Sequence, residues 1–404
     1  MTLNKLIFHY SRENRYSVNA LAGALETYGP PGLRAVFPAT AAETLAELSR
    51  DGGAGAAAAL SFFTCQKAGA ASLVKRLKKS APAAVLIAGG PHPSAVPGET
   101  LDLGFDYVVA GEGERVFPRL LSDLAAGKPP PRGVLRGTPA VLSEYPPFSA
   151  KWGLFGAIEI TRGCPYSCAY CQTSFLFGAK PRHRPVDGIL RAMETMFARG
   201  LKDVRFITPD AFSYGSPDGR AMNSAALREL LESAGKLASA RGGRIFAGSF
   251  PSEVRPDHVT HEALELVRKY ASNRRLVIGA QAASPGLLRA IRRGHGPGEI
   301  LEAARLCREH RLTPYFDFIF GLPGETREDE DAAMEMIQFL VSAGAIIHTH
   351  AFMPLPGTPL AKTPGGRISR RMRAFIEKLE SRGKAFGKWR AQSRLGGAGL
   401  DRYQ

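Results

Sequence analysis

The 404-residue sequence has few cysteines, no long apolar run and a deficit of acidic residues. Its five cysteines are odd in number and unevenly placed, which argues against a disulfide framework and favours a reducing compartment. No apolar run reaches the roughly 18 residues that suggest a membrane span. The first residues, MTLNKLIFHYSREN, lack the apolar core and cleavage site of a signal peptide. We therefore expect a cytoplasmic protein without a membrane span.

Acidic residues are scarce relative to basic ones. The sequence has 53 Lys and Arg against 37 Asp and Glu, a formal net charge of +16. Such a charge attracts polyanions and anionic substrates. The basic residues are nevertheless spread along the chain, with short clusters only at 180–185 and 367–373. A solvated basic surface explains this distribution as well as nucleic-acid binding does, so charge leaves both interpretations open.

The first 127 residues alternate short apolar runs with amphipathic helical patterns. The apolar runs lie at 5–10, 33–38, 55–63, 83–90 and 105–112, and the helical patterns at 17–28, 41–51 and 66–81. Near-continuous apolar strands between amphipathic helices predict a parallel sheet covered on both faces. We therefore expect an α/β, doubly wound, Rossmann-like domain of about five strands. Ligands of such sheets bind at the carboxyl ends of the strands, where two glycine-rich segments, 88–94 and 111–114, fall.

The remaining chain divides into three predicted segments. Residues 128–150 are rich in proline and glycine, which is typical of a linker. Residues 151–362 contain six predicted βα units, which indicates a partial (β/α)6 TIM-type barrel with its chemistry at the carboxyl ends of the strands. Residues 363–404 are expected to form a short basic C-terminal helical extension, with a helix over 367–387, and a loosely ordered tail.

Three of the five cysteines lie within eight positions, in the stretch CPYSCAYC directly after the first barrel strand. Their spacing is Cys164-x3-Cys168-x2-Cys171. Thiolates are soft ligands that suit zinc or iron–sulfur clusters. A structural zinc site needs a fourth ligand and usually uses two separated pairs, which Cys65 and Cys307 do not supply. Three thiols on one loop instead suit a [4Fe–4S] cluster with one iron free of protein ligands.

A CxxxCxxC loop after the first strand of a βα barrel, with an aromatic residue before the third cysteine, resembles the radical S-adenosylmethionine (radical SAM) superfamily. The resemblance implies that Cys164, Cys168 and Cys171 hold a [4Fe–4S] cluster. It implies further that the open iron chelates S-adenosylmethionine and that the reduced cluster cleaves it to a 5′-deoxyadenosyl radical. A reductant such as flavodoxin or ferredoxin is then an expected partner.

Other positions fit S-adenosylmethionine binding in this superfamily. The candidates are Tyr170, Ser252, Glu253, Arg255, Gln281 and Gly321. An ordinary strand-to-helix turn explains the segment 320–326, which contains Gly321, as well as ligand binding does. Two further residues, Arg293 and His295, lie in a stretch that resembles methylthiotransferase-like and cobalamin-dependent members. A helix-capping role explains those two residues slightly better than catalysis.

The segment 85–121 resembles the cobalamin-binding domain that precedes many radical SAM barrels. The residues that carry this resemblance are Gly89, Gly90, Pro91, His92, Gly111, Glu112, Gly113 and Glu114. Domains that donate a histidine to cobalt carry Asp-x-His-x-x-Gly after the first strand, and residues 8–19 lack it. Position alone favours His9 as a strand residue. We expect cobalamin without a protein histidine below the metal; a sheet that has lost its cofactor is the alternative.

Together the two resemblances predict a cobalamin-dependent radical SAM methyltransferase. Radical chemistry without methyl transfer (cyclisation, oxidation or rearrangement) and a non-catalytic cobalamin or cluster sensor are alternatives. Methylthio transfer to RNA or protein is disfavoured, since those enzymes hold a second cluster with three more N-terminal cysteines and only Cys65 is present. The substrate stays open between a small molecule, a peptide and RNA. Candidate substrate-contacting or catalytic residues are Asp210, Tyr214 and those of 348–354, although turns and core packing explain them nearly as well.

Overall fold

The computed structural model describes residues 3–397 of the chain, which separates into two compact units after Gly156. The first unit is a single parallel sheet flanked by helices. Its strands follow the spatial order β2-β1-β3-β4-β5-β6, so β2 lies on one side of β1 and the later strands are added on the other side. The elements are β1 (Lys5–His9), α1 (Arg15–Tyr28), β2 (Arg34–Val36), α2 (Ala41–Ser49), β3 (Ala56–Ser61), α3 (Lys67–Ser80), β4 (Val85–Gly89), α4 (Pro91–Ala95), α5 (Pro97–Asp102), β5 (Tyr107–Ala110), α6 (Val116–Ala125) and β6 (Gly133–Arg136).

Two hydrophobic cores cover the two faces of this sheet. Alternate strand residues point to opposite faces, so Ile7 and Leu86 pack with α2 and α3, whereas Phe8 and Ile87 pack with α1 and α6. The central strand β3, with sequence AAAALS, is buried at all six positions because helices lie on both sides. This arrangement confirms the predicted doubly wound sheet.

The segment predicted as a linker, 128–150, contributes a sixth strand. Strand β6 pairs in parallel with β5, with Tyr107 opposite Gly133 and Ala110 opposite Arg136. Its alternating half-buried and exposed residues are typical of an edge strand with one solvated face. The proline-rich composition obscured this strand, since only the pairing with β5 makes the extended conformation part of a sheet.

The second unit is a series of βα units. Its elements are β7 (Ile158–Glu159), β8 (Thr161–Arg162), α7 (Thr173–Phe177), β9 (Arg182–His183), α8 (Val186–Ala198), β10 (Asp203–Ile207), α9 (Ser224–Ala240), β11 (Arg244–Phe246), α10 (His261–Tyr270), β12 (Arg275–Gln281), α11 (Pro285–Ala290), α12 (Pro297–Glu309), β13 (Thr313–Phe320), α13 (Arg327–Ser342), β14 (Ile346–Ala351), α14 (Arg370–Ser381), β15 (Ala385–Gly387) and α15 (Trp389–Gly397).

The strands of the second unit follow one another around a partial barrel. Strands β7, β10 and β11 form one parallel group, and β12 to β15 form another. A parallel bridge between Val254 and Ile278 connects the segment after β11 to β12. Seven strands therefore succeed one another in chain order with their carboxyl ends at the same rim, which confirms the predicted partial barrel and adds β15 to the six predicted strands.

The C-terminal segment differs from the single helix predicted over 367–387. Helix α14 stops at Ser381, and Gly383, with a φ of +65°, allows the chain to turn there. The following strand β15 then pairs in parallel with β14, with Ile347 opposite Ala385. Residues 398–404, part of the predicted tail, lie outside the described residues. Among residues 3–397, no helix is long and apolar enough to cross a membrane.

Candidate active site

The three-cysteine loop begins directly after β8, at the carboxyl-end rim of the partial barrel. Gly163 has a φ of +94°, and a Cβ there would lie 2.4 Å from the Lys180 carbonyl oxygen, so only glycine fits. The Cys164 N–H donates to the Gly178 carbonyl at 3.1 Å, and the Cys171 N–H to the Cys168 carbonyl at 3.0 Å. These backbone bonds bend the loop that carries the three thiols.

The three thiols are shielded from solvent to different degrees, and they lie close enough for their charges to interact. Cys168 is buried, and Cys164 and Cys171 are partly buried. Burial, with a smaller contribution from the other two thiols, raises the pKa of Cys164 to about 11. Burial also raises the pKa of Cys171, although hydrogen bonds from Thr173 oppose this. Burial thus keeps the thiols of Cys164 and Cys171 protonated, and a bound cationic metal centre would offset the cost of their ionisation.

A buried guanidinium, that of Arg293, lies beside this loop. It donates to the Gly279 carbonyl at 2.6 Å and, through Nη1, to the Cys168 sulfur at 3.7 Å. Nη2 also lies 3.6 Å from the carboxylate of Glu253. Burial opposes the charge, but Tyr170, Glu253 and Cys168 raise the pKa of Arg293 overall. The side chain therefore places a positive charge beside Cys168. The sequence had instead favoured a helix-capping role for Arg293.

A β-bulge in strand β12 aims Gln281 at the same place. The register with β13 shifts between Gly279 and Gln281, and Gln281 has a φ of +72°. Its amide lies 3.5 Å from the carboxylate of Glu253, whose pKa burial raises to about 7 against the opposing charge of Arg293. A Cβ at Gly279 would lie 2.5–2.8 Å from all three of these side chains. The absence of a side chain at Gly279 thus leaves the space that Arg293, Gln281 and Glu253 occupy.

A second guanidinium, that of Arg255, stacks on the cysteine loop. Its Cζ lies 3.4 Å from the centre of the Tyr166 ring, and its Nε lies 3.0 Å from Asp257. Within residues 3–397, its buried Nη1 and the buried Nε2 of His295 make no hydrogen bond. Burial, together with Arg293 and Arg255, lowers the pKa of His295 to about 4. These unpartnered polar atoms suit a ligand that carries a carboxylate or hydroxyl groups.

The other predicted residues of this rim hold the local fold together. Ser252 donates to the Phe206 carbonyl at 2.6 Å and accepts from the Thr208 N–H, so it ties the end of β10. Tyr214 is buried, and its hydroxyl donates to the Arg184 carbonyl at 2.7 Å. None of these hydrogen bonds connects Ser252 or Tyr214 to Arg293, Glu253 or Gln281.

Asp210 forms a buried pair with His258. Its carboxylate accepts from Nδ1 of His258 and, at 3.3 Å each, from the backbone N–H groups of Phe212 and Arg255. Burial opposes protonation of His258, but the bonds to Asp210 and to the Arg220 carbonyl raise its pKa overall. The pair therefore braces the segment that carries Arg255.

The turn after β13 brings Gly321 against the C-terminal segment. Gly321 has a φ of +69°, and its N–H donates to Glu325 at 2.6 Å. A Cβ there would lie 2.5 Å from the carbonyl oxygen of Gly366. Close backbone approach thus accounts for this glycine, and its contact with S-adenosylmethionine stays a prediction.

Tyr170 is half-buried, and burial, opposed by Arg293, raises its pKa well above the usual value.

Sequence reasoning missed Asp317, which lies opposite the histidine pair of β14. Asp317 and His348 are register partners, and Nδ1 of His348 lies 2.9 Å from the Asp317 carboxylate. Burial lowers the pKa of His350 to about 4. Asp317 opposes this shift, and His348 adds to it. The sequence signal available was a single aspartate within the apolar strand TPYFDFIF, which the flanking Phe316 and Phe318 concealed.

In the first unit, the predicted cobalamin residues lie at the carboxyl-end edge of the sheet. His92 is fully buried, its ring lies tilted against that of Phe62 with the ring centres 5.6 Å apart, and its Nδ1 lies 3.2 Å from Thr64. Burial lowers its pKa, so the ring is a neutral part of the fold. Glu112 is also buried and accepts from the Ala140 N–H at 3.0 Å. Neither side chain is aimed outward from the sheet edge.

The glycines at this edge divide into two kinds. A Cβ at Gly90, which has a φ of +95°, would lie 2.7 Å from Ser61, so the fold itself requires this glycine. Gly89 has only one ordinary contact at 3.7 Å, and Gly111 is exposed. The neighbouring Phe63 exposes 41% of its surface. The edge therefore presents uncovered backbone beside an aromatic ring, which suits a flat, largely apolar ligand.

Comparisons with known proteins agree with the two-unit organisation. Residues 158–337 match the sequence model of the radical SAM superfamily, and residues 15–121 match that of the B12 binding domain. An uncharacterized protein of Methanopyrus kandleri is 26% identical over 69% of this chain and 62% of its own length. Ribosomal protein uS12 methylthiotransferase RimO of Sorangium cellulosum is 29% identical over 57% of this chain. The chain spans only 44–62% of the length of these relatives.

Solved structures share the fold across both units. The radical S-adenosylmethionine methyltransferase TsrM of Kitasatospora setae, with cobalamin and a [4Fe–4S] cluster bound, has a TM-score of 0.69 at 16% identity over 90% of this chain and 75% of its own. The cobalamin-dependent radical enzyme OxsB, with aqua-cobalamin bound, has a TM-score of 0.65 at 15% identity over 83% of this chain and 52% of its own. At these identities the likeness concerns the fold.

Proposed function

The chain belongs to the radical SAM proteins that carry a B12-binding domain, and we propose that it is a cobalamin-dependent radical SAM methyltransferase. The observation that carries this proposal is the shielded loop of Cys164, Cys168 and Cys171. When bound, a cluster held by these cysteines would supply radical chemistry through S-adenosylmethionine, and cobalamin would supply a methyl group. A reductant of the flavodoxin or ferredoxin class would serve as the electron donor.

The residues fit an iron–sulfur cluster with one open iron. Three thiols lie on one loop, whereas Cys307 is fully buried within α12 and Cys65 belongs to the first unit. No fourth cysteine of the second unit is therefore placed to join the three. The guanidinium of Arg293 donates to the sulfur of Cys168 and would offset negative charge on a bound cluster.

S-adenosylmethionine would find complementary groups around the loop. The unpartnered Nη1 of Arg255 suits the methionine carboxylate, and the carboxyl of Glu253 with the amide of Gln281 suits its amino group or the ribose hydroxyls. Arg255 is held against Tyr166, so little side-chain entropy is lost when it binds an anion. Ser252 contributes by supporting the strand end.

Cobalamin would lie against the carboxyl-end edge of the first unit. Gly89 and Gly111 leave backbone uncovered there, and Phe63 offers an exposed ring. His92 is buried and neutral, so we propose no histidine ligand from it. Methylthio transfer is not proposed, although methylthiotransferases are among the relatives, because Cys65 is the only cysteine in residues 1–156.

Anaerobic reconstitution tests this function. The protein is supplied with iron, sulfide and hydroxocobalamin, desalted, and assayed for bound iron, bound corrin and reductive cleavage of S-adenosylmethionine. We expect all three in the wild type. The variants C164A, C168A and C171A should each lose at least tenfold in iron and cleavage, whereas C65S, in the first unit, should keep both. Cleavage retained without the three thiols would contradict the radical SAM assignment.

Bound corrin separates methyl transfer from other radical chemistry. Cleavage of S-adenosylmethionine without any bound corrin would contradict the methyltransferase proposal and favour cyclisation, oxidation or rearrangement. Substrate is then sought by incubating the loaded enzyme with labelled S-adenosylmethionine and fractions of small molecules, peptides and RNA. Label from the methyl group in a product identifies the substrate class.

A further inference from the structure

Three potential metal ligands converge on one face of the sheet formed by β13 and β14. Asp317 lies opposite His348, and His350 follows two residues later on the same face. The opposite face carries Phe316 and Ile347, which are fully buried. One ligand atom from each of the three side chains lies within 4.8 Å of the others. Alternation along the strands therefore turns all three away from the apolar layer and toward one another.

Hydrogen bonding alone does not satisfy this group. Nδ1 of His348 lies 2.9 Å from the Asp317 carboxylate and 3.2 Å from Nε2 of His350. A ring nitrogen has either one proton or one lone pair, so it forms a full bond with only one of these two partners. Nδ1 of His350 lies 3.5 Å from the amide nitrogen of Gln392, at the outer limit of a hydrogen bond, which leaves the ring tautomer free.

We propose that Asp317, His348 and His350 bind one divalent first-row transition-metal ion. A single ion accepts a lone pair from each ligand atom, which resolves the competition at Nδ1 of His348. Ligands that share an ion at about 2.1 Å lie roughly 3–3.5 Å apart, close to the two short distances observed here. Two imidazoles and one carboxylate are typical of zinc and non-haem iron sites that keep positions open for other ligands.

The surroundings support this ligand set. His348 stacks on Phe386 with ring centres 4.6 Å apart and nearly parallel planes, so its orientation is held by packing. The carboxyl of Glu253 lies close enough to Asp317 for the charge of Asp317 to raise its pKa, so Glu253 is a neighbour of this ligand set. The open positions of a bound ion would accept a water molecule or an oxygen or nitrogen atom of a substrate.

Zinc titration of the full-length protein tests this site. The protein is first reconstituted anaerobically, so that the cluster occupies the three loop cysteines, then freed of loose metal with a chelator. Zn²⁺ is added in competition with a chromophoric chelator. We expect one tight equivalent per chain in the wild type and an affinity at least about 100-fold lower in H348A and H350A, because loss of a ligand exceeds the 10–100-fold effect of an outer-sphere change. D317N removes the carboxylate with little change in shape and should act likewise.

A matched control uses the exposed histidine pair of the barrel exterior. His261 and His310 lie 3.1 Å apart outside this cluster, and H310A should leave the tight equivalent unchanged. Iron content and circular dichroism check that each variant is folded and loaded. Equal zinc affinity in the wild type, H350A and D317N would overturn the proposal, as would a fully loaded wild type that binds no zinc. Thiolate charge-transfer bands on Co²⁺ addition would place the ion at cysteines and overturn it as well.

Discussion

The guanidinium of Arg293 lies 3.7 Å from the sulfur of Cys168, so a buried cation lies beside one of the three loop thiols. Two bonds to the Gly279 carbonyl hold it there, so its position does not depend on solvent. A fixed positive charge next to a cluster sulfur stabilises the reduced, more negative state of the cluster. The pair therefore connects strand β12 to the redox chemistry proposed for the loop.

Substitution R293Q should lower the reduction potential of the reconstituted cluster. Loss of the charge removes a preference for the reduced state, and we expect a shift of roughly 40 mV to more negative potential, the one-electron equivalent of about 1 kcal/mol. The measurement is a redox titration followed by electron paramagnetic resonance. R289Q, which removes an exposed arginine of α11, is the control and should leave the potential unchanged. A shift to more positive potential in R293Q would contradict the argument.

Substitution G279A should displace Arg293, Gln281 and Glu253 while leaving the chemistry of these three side chains unchanged. The added Cβ would lie 2.5 Å from Arg293 and 2.8 Å from Gln281 and Glu253, so these side chains must move. We expect cleavage of S-adenosylmethionine to fall at least tenfold while iron binding persists. G298A, an exposed helix position with open space around its Cβ, should instead be neutral or raise stability by about 0.5–1 kcal/mol. Equal activity in the two variants would refute the packing argument.

Stability should depend on pH through Glu253. Burial raises its pKa to about 7 from the 4.5 of an exposed glutamate, against the opposing charge of Arg293. Its contribution to stability is complete below pH 4.5 and is lost as pH rises through about 7, because the unfolded chain releases the proton first. Relative to E253Q, the wild type should therefore lose at most about 3 kcal/mol between pH 4.5 and 8. Urea unfolding at several pH values measures this difference; a gain with rising pH would contradict it.

Substitution Y214F should lower stability rather than chemistry. The hydroxyl of Tyr214 is buried and donates to the Arg184 carbonyl at 2.7 Å, and its loss leaves that bond unmade. We expect about 1 kcal/mol of destabilisation, with cleavage of S-adenosylmethionine per folded molecule within twofold of the wild type. Y28F removes an exposed bond of the same kind, to the Glu144 carbonyl at 3.0 Å, and should change stability by less. A large loss of cleavage in Y214F with unchanged stability would restore its predicted catalytic role.

Much of the fold was accessible from local patterns. The runs at 5–10, 55–63 and 83–90 became β1, β3 and β4 because near-continuous apolar strands have few alternative conformations between helices. Strands β6 and β15 were not predicted, since each depends on one neighbour for its hydrogen bonds. Short edge strands carry weak patterns, and their extended state is decided by pairing.

The candidate site followed the same division. Cys164, Cys168 and Cys171 are close in sequence, so spacing alone indicated a shared centre. Arg293 lies 125 residues from Cys168, and a helix-capping role seemed the better explanation until the fold brought the two together. Glu253 and Gln281 were named as ligand residues, but their mutual contact depends on a bulge that no local pattern indicates.

By itself the sequence determined the two-unit α/β organisation and the three-thiol loop, because periodicity and ligand spacing are local properties of the chain. The tertiary structure decided which distant groups surround that loop. It placed Arg293 on a thiol and turned Gly90 and Gly321 into points of close backbone approach. It also joined Asp317 to His348, since residues 31 positions apart meet only when neighbouring parallel strands fix their register.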